Sequence, residues 1–237
     1  MIEWDIYSSP DLLFSACAEQ MIEIAQKAIQ QRGSFSVALS GGSTPRGLYN
    51  ELKSHYATEK LWRDSFFFVS DERNVALDNP ESNMGLAMYS LLNPLNIKAP
   101  HVFPVMTHMQ SLELAARDYE MRIQTQVGQE GQFDLILLGL GDDGHTASLF
   151  PDTPALKEQS RWVVENWVEK LNTWRITFTY PLINRARHVM FLVQGDKKAE
   201  IVADIYHDRK EYPASFIDPA DGRLTWLLDD KAGKGLK

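Results

Sequence analysis

With 237 residues, 44% of them hydrophobic and 24% charged, the chain has the make-up of a folded protein able to bury a substantial core in one domain over residues 1–237. A formal charge of −8 argues against general nucleic-acid binding, and no apolar run approaches the roughly 20 residues that span a bilayer. Cys17 is the only cysteine, which excludes an internal disulfide, and the first residues, MIEWDIYSS, lack the pattern of a secretory signal, so a cytoplasmic location is expected.

Ser9-Pro10 offers an N-cap followed by proline at the first helical position, and Leu13, Cys17, Met21, Ile24 and Ala28 then mark one apolar helix face that Gly33 closes. FSVAL (35–39) reads as a buried strand and PRGLYNELK (45–53) as the start of a helix. SFFFVS (65–70) is a second strand, followed by a polar loop and a helix near 82–92. A helix near 111–127 leads to a third strand, FDLILL (133–138). WRITFTY (174–180), HVMFLVQ (188–194), a helix from about 196 and RLTWLLDD (223–230) complete the pattern. Continuous apolar strands between amphipathic helices predict an α/β fold, a Rossmann-like and mostly parallel sheet with helices on both faces. In such sheets the ligand crevice lies beyond the carboxyl ends of the strands. Three strands here run into unusually polar loops, SGGSTP, SDERN and GLGDDGHT, which would converge on that edge.

SGGSTP (40–45) suits a phosphate. Gly41 and Gly42 admit close approach, Ser43 and Thr44 add hydroxyls, and Thr44 as N-cap before Pro45 would aim free N–H groups at the ligand. An ordinary capped turn is the competing reading. In SDERN (70–74), Asp71 and Glu72 supply a carboxylate for acid–base work and Arg73 a cation for an anion; a solvated charged turn is the alternative.

GLGDDGHTASLFP (139–151) matches the dinucleotide fingerprint in its first six residues. It lies past the midpoint of the chain, and Asp142 and Asp143 would repel a pyrophosphate, so the match is accidental. A metal held by Asp142, Asp143 and His145 would need further donors, and no other histidines show paired spacing. The remaining reading makes His145 a general base or acid accompanied by Asp143, since imidazole with a pKa near ~6.5 accepts a proton at neutral pH. N–H groups of the same turn would stabilise an oxyanion. Arg175, at the start of a strand, and Lys197 or Lys198, near a helix start, are further cations at strand ends.

In their order along the chain, SGGSTP, SDER, ESN (81–83), GLGDDGHTASLFP, WRITFTYPLINRARHV and GDKKAE resemble the 6-phosphogluconolactonase family over nearly the whole length, with Glu81 where aspartate is expected. The resemblance implies a fold shared with glucosamine-6-phosphate deaminases and a cofactor-free, metal-free hydrolysis of 6-phosphoglucono-1,5-lactone, a small phosphorylated sugar lactone. It implies His145 as the base, Asp143 as its partner, and Gly42, Ser43, Thr44, Arg175 and Lys198 as phosphate contacts, with Arg73 as a further candidate; Gly41 and Asp71, in the same polar loops, are candidate substrate contacts on their position alone. It also selects Lys198 over Lys197. The similar deaminases carry a glutamate where this chain has Phe150. A sugar-phosphate isomerase or deaminase, or a non-catalytic sugar-phosphate sensor, are the alternatives. No membrane or nucleic-acid partner is expected, and either a monomer or a small homo-oligomer fits.

Overall fold

The computed structural model describes residues 2–236. An edge strand β1 (Ile2–Tyr7) leads into helix α1 (Pro10–Arg32), whose first turn is capped as expected, with Ser9 Oγ accepting from the Leu12 N–H at 3.3 Å. The buried face of α1 carries Leu13, Cys17, Met21 and Ala28, but Ile22 and Ala25 complete it while Ile24 is only half-buried. Strand β2 (Phe35–Leu39), helix α2 (Ser43–His55) and strand β3 (Ser65–Val69) follow. Then come a short strand β4 (Asp71–Arg73), helix α3 (Asn83–Ala87), which runs on into a π-helical turn (Met88–Leu92), helix α4 (Leu112–Val127) and strand β5 (Leu135–Leu138). The last part holds β6 (Val163–Val168), β7 (Thr173–Phe178), α5 (Tyr180–Ile183), β8 (His188–Val193), α6 (Ala199–Tyr206) and β9 (Arg223–Asp229).

Six strands form the main sheet in the order β1-β9-β8-β5-β2-β3, all pairings parallel. From β2 the chain steps outward to β3, then returns on the other side of β2 and continues outward through β5, β8 and β9. The order therefore reverses between β2 and β5. The loops that leave these two strands flank a crevice at the carboxyl edge, the usual ligand position in such sheets.

Two features of the sheet's packing stand out. At the opposite edge the buried Asp134 accepts hydrogen bonds from the Ser36 N–H at 2.8 Å and from Arg32 Nη2 at 2.7 Å, joining the end of α1 to the starts of β2 and β5. On the far side of the sheet Trp226 lies between Phe191 (ring centroids 3.8 Å apart) and Trp4 (4.7 Å), both nearly parallel to it. Flat aromatic packing of this area contributes heavily to core stability.

The structure corrects the expectations at three places. WRITFTY contributes β7, but to a second, antiparallel sheet in the order β4-β7-β6 rather than to the parallel one. The predicted SDERN loop contains β4: Ser70 takes a hydrogen bond from the Phe178 N–H at 2.8 Å while its own N–H bonds the Leu39 carbonyl, so the chain steps from one sheet to the other at that residue. Thr44 is not the N-cap. Gly42, at φ +101°, reaches backbone space that other residues rarely enter, and α2 therefore starts two residues earlier, at Ser43, with no side-chain cap. Pro45 is tolerated there because the first four N–H groups of a helix have no intrahelical partner in any case.

Candidate active site

The crevice is a cavity of about 140 Å³ lined by Ser40, Gly41, Asp71, Arg73, Asn83, Gly139, Leu140, Gly141, His145 and Ala147. The loops leaving β2 and β5, strand β4 and the first residue of α3 thus meet there. Tyr49, on α2, donates to the Ser40 carbonyl at 2.6 Å and holds the first loop from below.

His145 sits at the end of the turn that leaves β5. The Gly141 N–H bonds the His145 carbonyl at 2.8 Å, and a Cβ on Gly141 would lie 1.9 Å from His145 Nδ1, so the imidazole occupies space that only glycine leaves open. Nδ1 of His145 lies 2.5 Å from Asp143 Oδ1. With Nδ1–H donating to that carboxylate, Nε2 carries the lone pair and can take a proton. The other oxygen of Asp143 accepts from Lys170 Nζ at 2.8 Å. Partial burial pushes the Asp143 carboxyl up, but the bonds from Lys170 and His145 outweigh it and hold its pKa at about 2. Burial dominates at His145 and lowers its pKa, against the opposing pull of Asp143 and Asp71. Burial thus favours the neutral imidazole, the form in which Nε2 can accept a proton.

Arg73 of β4 lines the cavity; Arg175 of β7, which does not, stands opposite it in the antiparallel register, so both side chains project from one face of that sheet. Arg73 Nη1 donates to the Glu81 carbonyl at 2.5 Å. Burial, followed by the charge of Arg73, lowers the pKa of Arg175, which stays protonated. Among the described residues neither arginine has a carboxylate partner, although five other arginines do. Two facing cations without a counter-ion cost stability and suit a dianion.

Each predicted site residue lies on this edge, but in different roles. Gly41, Asp71, Arg73 and His145 line the cavity; Gly42, Ser43 and Thr44 form the uncapped start of α2 beside it. Asp71 is buried and accepts from Ser148 Oγ at 2.6 Å and Asn83 Nδ2 at 3.1 Å. Glu72 does no acid–base work here. It accepts from the N–H groups of Asn83 and Met84 and from Ser82 Oγ, which anchors the start of α3; burial raises its pKa against those bonds. Lys198 pairs with Asp142 and Lys170 with Asp143, so both carboxylates of the turn are engaged by lysines. Two N–H groups of the β5 turn are not free for the expected oxyanion role. The N–H groups of Gly141 and Gly144 are spent inside the turn, on the carbonyls of His145 and Gly141.

Sequence reasoning did not find Lys170. It lies in the β6–β7 hairpin, 27 residues from Asp143, in a segment that reads as an ordinary charged turn. Nor did it find the contact between Phe150 and His145, whose rings stack at 3.8 Å.

A family model described as glucosamine-6-phosphate isomerases/6-phosphogluconolactonase matches residues 8–226. The chain belongs to this family. Within the family, a 6-phosphogluconolactonase of Synechocystis is 44% identical over 219 residues, covering 89% of this chain and 88% of that protein. A probable 6-phosphogluconolactonase of Drosophila melanogaster is 39% identical, covering 97% and 93%. The structure of 6-phosphogluconolactonase from Trypanosoma cruzi superimposes with a TM-score of 0.90 at 31% identity, over 100% of this chain and 97% of that one. A monomeric glucosamine-6-phosphate deaminase of the NagB superfamily, 21% identical with a TM-score of 0.82 over 98% and 99% of the two chains, shares the fold.

Proposed function

We propose that the protein hydrolyses 6-phosphoglucono-1,5-lactone to 6-phosphogluconate in the cytoplasm, as a step of the oxidative pentose phosphate pathway. The observation that carries the reading is a half-buried His145, bonded to Asp143 through Nδ1, in a cavity that also holds Arg73. Nε2 of His145 takes a proton from a water molecule as its oxygen attacks the lactone carbonyl. The imidazolium so formed is stabilised by Asp143, and it then returns the proton to the ring oxygen as the ester bond breaks. Water is the only co-reactant and no electrons are transferred. The phosphate is held by Arg73, Arg175 and the free N–H groups at the start of α2, with Lys198 at the same edge. Charge-assisted bonds of this kind let an acidic protein bind a dianion.

An aromatic side chain at position 150 favours lactone hydrolysis over deamination, because ring opening and loss of ammonia need additional proton transfers. The test is hydrolysis of freshly generated lactone, with the spontaneous rate subtracted and glucosamine 6-phosphate run in parallel. Acceleration on the lactone, lost by about 10²- to 10⁴-fold in His145→Ala with binding of 6-phosphogluconate retained, is the expected result. Ammonia release from the amino sugar instead would assign the chain to the deaminase branch. Wild-type activity in His145→Ala would remove His145 as the base.

A further inference from the structure

We infer that Phe150 is a positioning residue for the catalytic imidazole, setting the plane of the His145 ring and keeping water from its far side. The inference rests on the reading of His145 as the base. The two rings stack with centroids 3.8 Å apart and planes 20° from parallel, and Phe150 is 6% exposed. Behind the substrate cavity lies a second one of about 540 Å³, whose wall includes Phe150, Asp143, Trp167 and Lys170 but not His145. His145 lines only the first cavity, so the phenyl ring is the partition between the base and the second space.

The partition is fastened at its backbone. The Phe150 carbonyl accepts from Thr153 Oγ1 at 2.8 Å, and that hydroxyl accepts in turn from Asn166 of β6 at 3.0 Å. An imidazole held by a single hydrogen bond at Nδ1 can still swing about its side-chain torsions. A flat apolar ring on one face removes that freedom and leaves Nε2 aimed into the substrate cavity.

The same contact bears on protonation. The charged groups around His145 are Asp143 of its own turn, Asp71 of β4, Lys198 ahead of α6 and, across the substrate cavity, Arg73 of β4. Both carboxylates favour the imidazolium, Lys198 opposes it, and burial opposes it most. Removing the phenyl ring admits water from the second cavity and leaves the carboxylates dominant. The base then becomes more readily protonated, and less of it is free near neutrality.

Phe150→Ala, Phe150→Leu and Phe150→Tyr would be compared with the wild type by steady-state kinetics over pH and by NMR titration of the His145 ring, assigned with His145→Asn. Phe150→Ala is expected to raise the His145 midpoint by about one pH unit and to lower kcat about tenfold or more, leaving KM within about twofold. Phe150→Tyr, which keeps the stack, restores both. Phe150→Leu, which keeps the dry volume without the flat face, holds the midpoint near wild type while kcat stays low. If Phe150→Ala does not fold, the leucine and tyrosine variants decide. An unmoved or lowered midpoint in folded Phe150→Ala, a loss carried by KM, or full kcat in Phe150→Leu would overturn the inference. A wild-type protein inactive on the lactone would overturn the functional reading alone, because the titration still reports on the Phe150–His145 contact.

Discussion

Replacing Asp143 with asparagine isolates the contribution of the carboxylate charge. Size and one acceptor oxygen are retained, while the negative charge beside Nδ1 is lost. The bond that loses its charge is short, 2.5 Å, and joins groups that are both charged at the moment of attack. Hydrogen bonds to charged groups contribute about 1.5–3 kcal/mol, and each ~1.4 kcal/mol is a tenfold change in rate, so kcat should fall about 10- to 100-fold. KM should change little, since Asp143 is not on the wall of the substrate cavity. The acid limb gives an independent sign. The rate requires neutral His145, so it falls as pH drops through the pKa of that group, and burial already places this below the ordinary value. The asparagine variant loses the attraction that partly offsets burial, and its limb should move to still lower pH. Asp143 titrates at about 2, below the ordinary ~3.9 of an aspartate, so its contribution to stability is complete above the higher value and is lost as pH falls through the lower. Wild-type and variant proteins should therefore differ most in urea midpoint near neutrality and converge in acid. The assay is lactone hydrolysis from pH 5 to 8 (an arbitrary span of about three units that brackets a histidine). Wild-type kcat with an unmoved limb would refute the role given to Asp143.

Arg175→Ala should raise KM by about 10- to 100-fold with kcat nearly retained, because the guanidinium binds a group remote from the reacting carbonyl; an unchanged KM would take Arg175 out of the phosphate site. Asp134→Ala should lower unfolding free energy by about 3–5 kcal/mol in urea titration, since Arg32 and the buried Ser36 groups lose their acceptor. A loss below about 1 kcal/mol would show that Asp134 does not brace that end of the sheet.

The local features were legible because they depend on neighbours in the chain. Ser9 caps α1, Gly33 ends it, FSVAL is a strand to the residue, and the β5 turn carries both His145 and Asp143 within three positions. The alternation of apolar strands with helices also determined that the sheet is parallel, because each crossover brings the next strand back in the same direction. What tertiary structure alone decided are the contacts between distant segments. DER has no apolar pattern of its own; it becomes β4 because Ser70 carries the chain onto a second sheet, and only that pairing sets Arg73 against Arg175 across about one hundred residues of sequence. Lys170 reaches Asp143 from a hairpin whose first strand, β6, the sequence pattern does not announce. The pairing of His145 with Asp143 could thus be read along the chain, whereas the partial burial of the ring and its cationic neighbours come from three-dimensional packing, where charge and burial act through space rather than along the backbone.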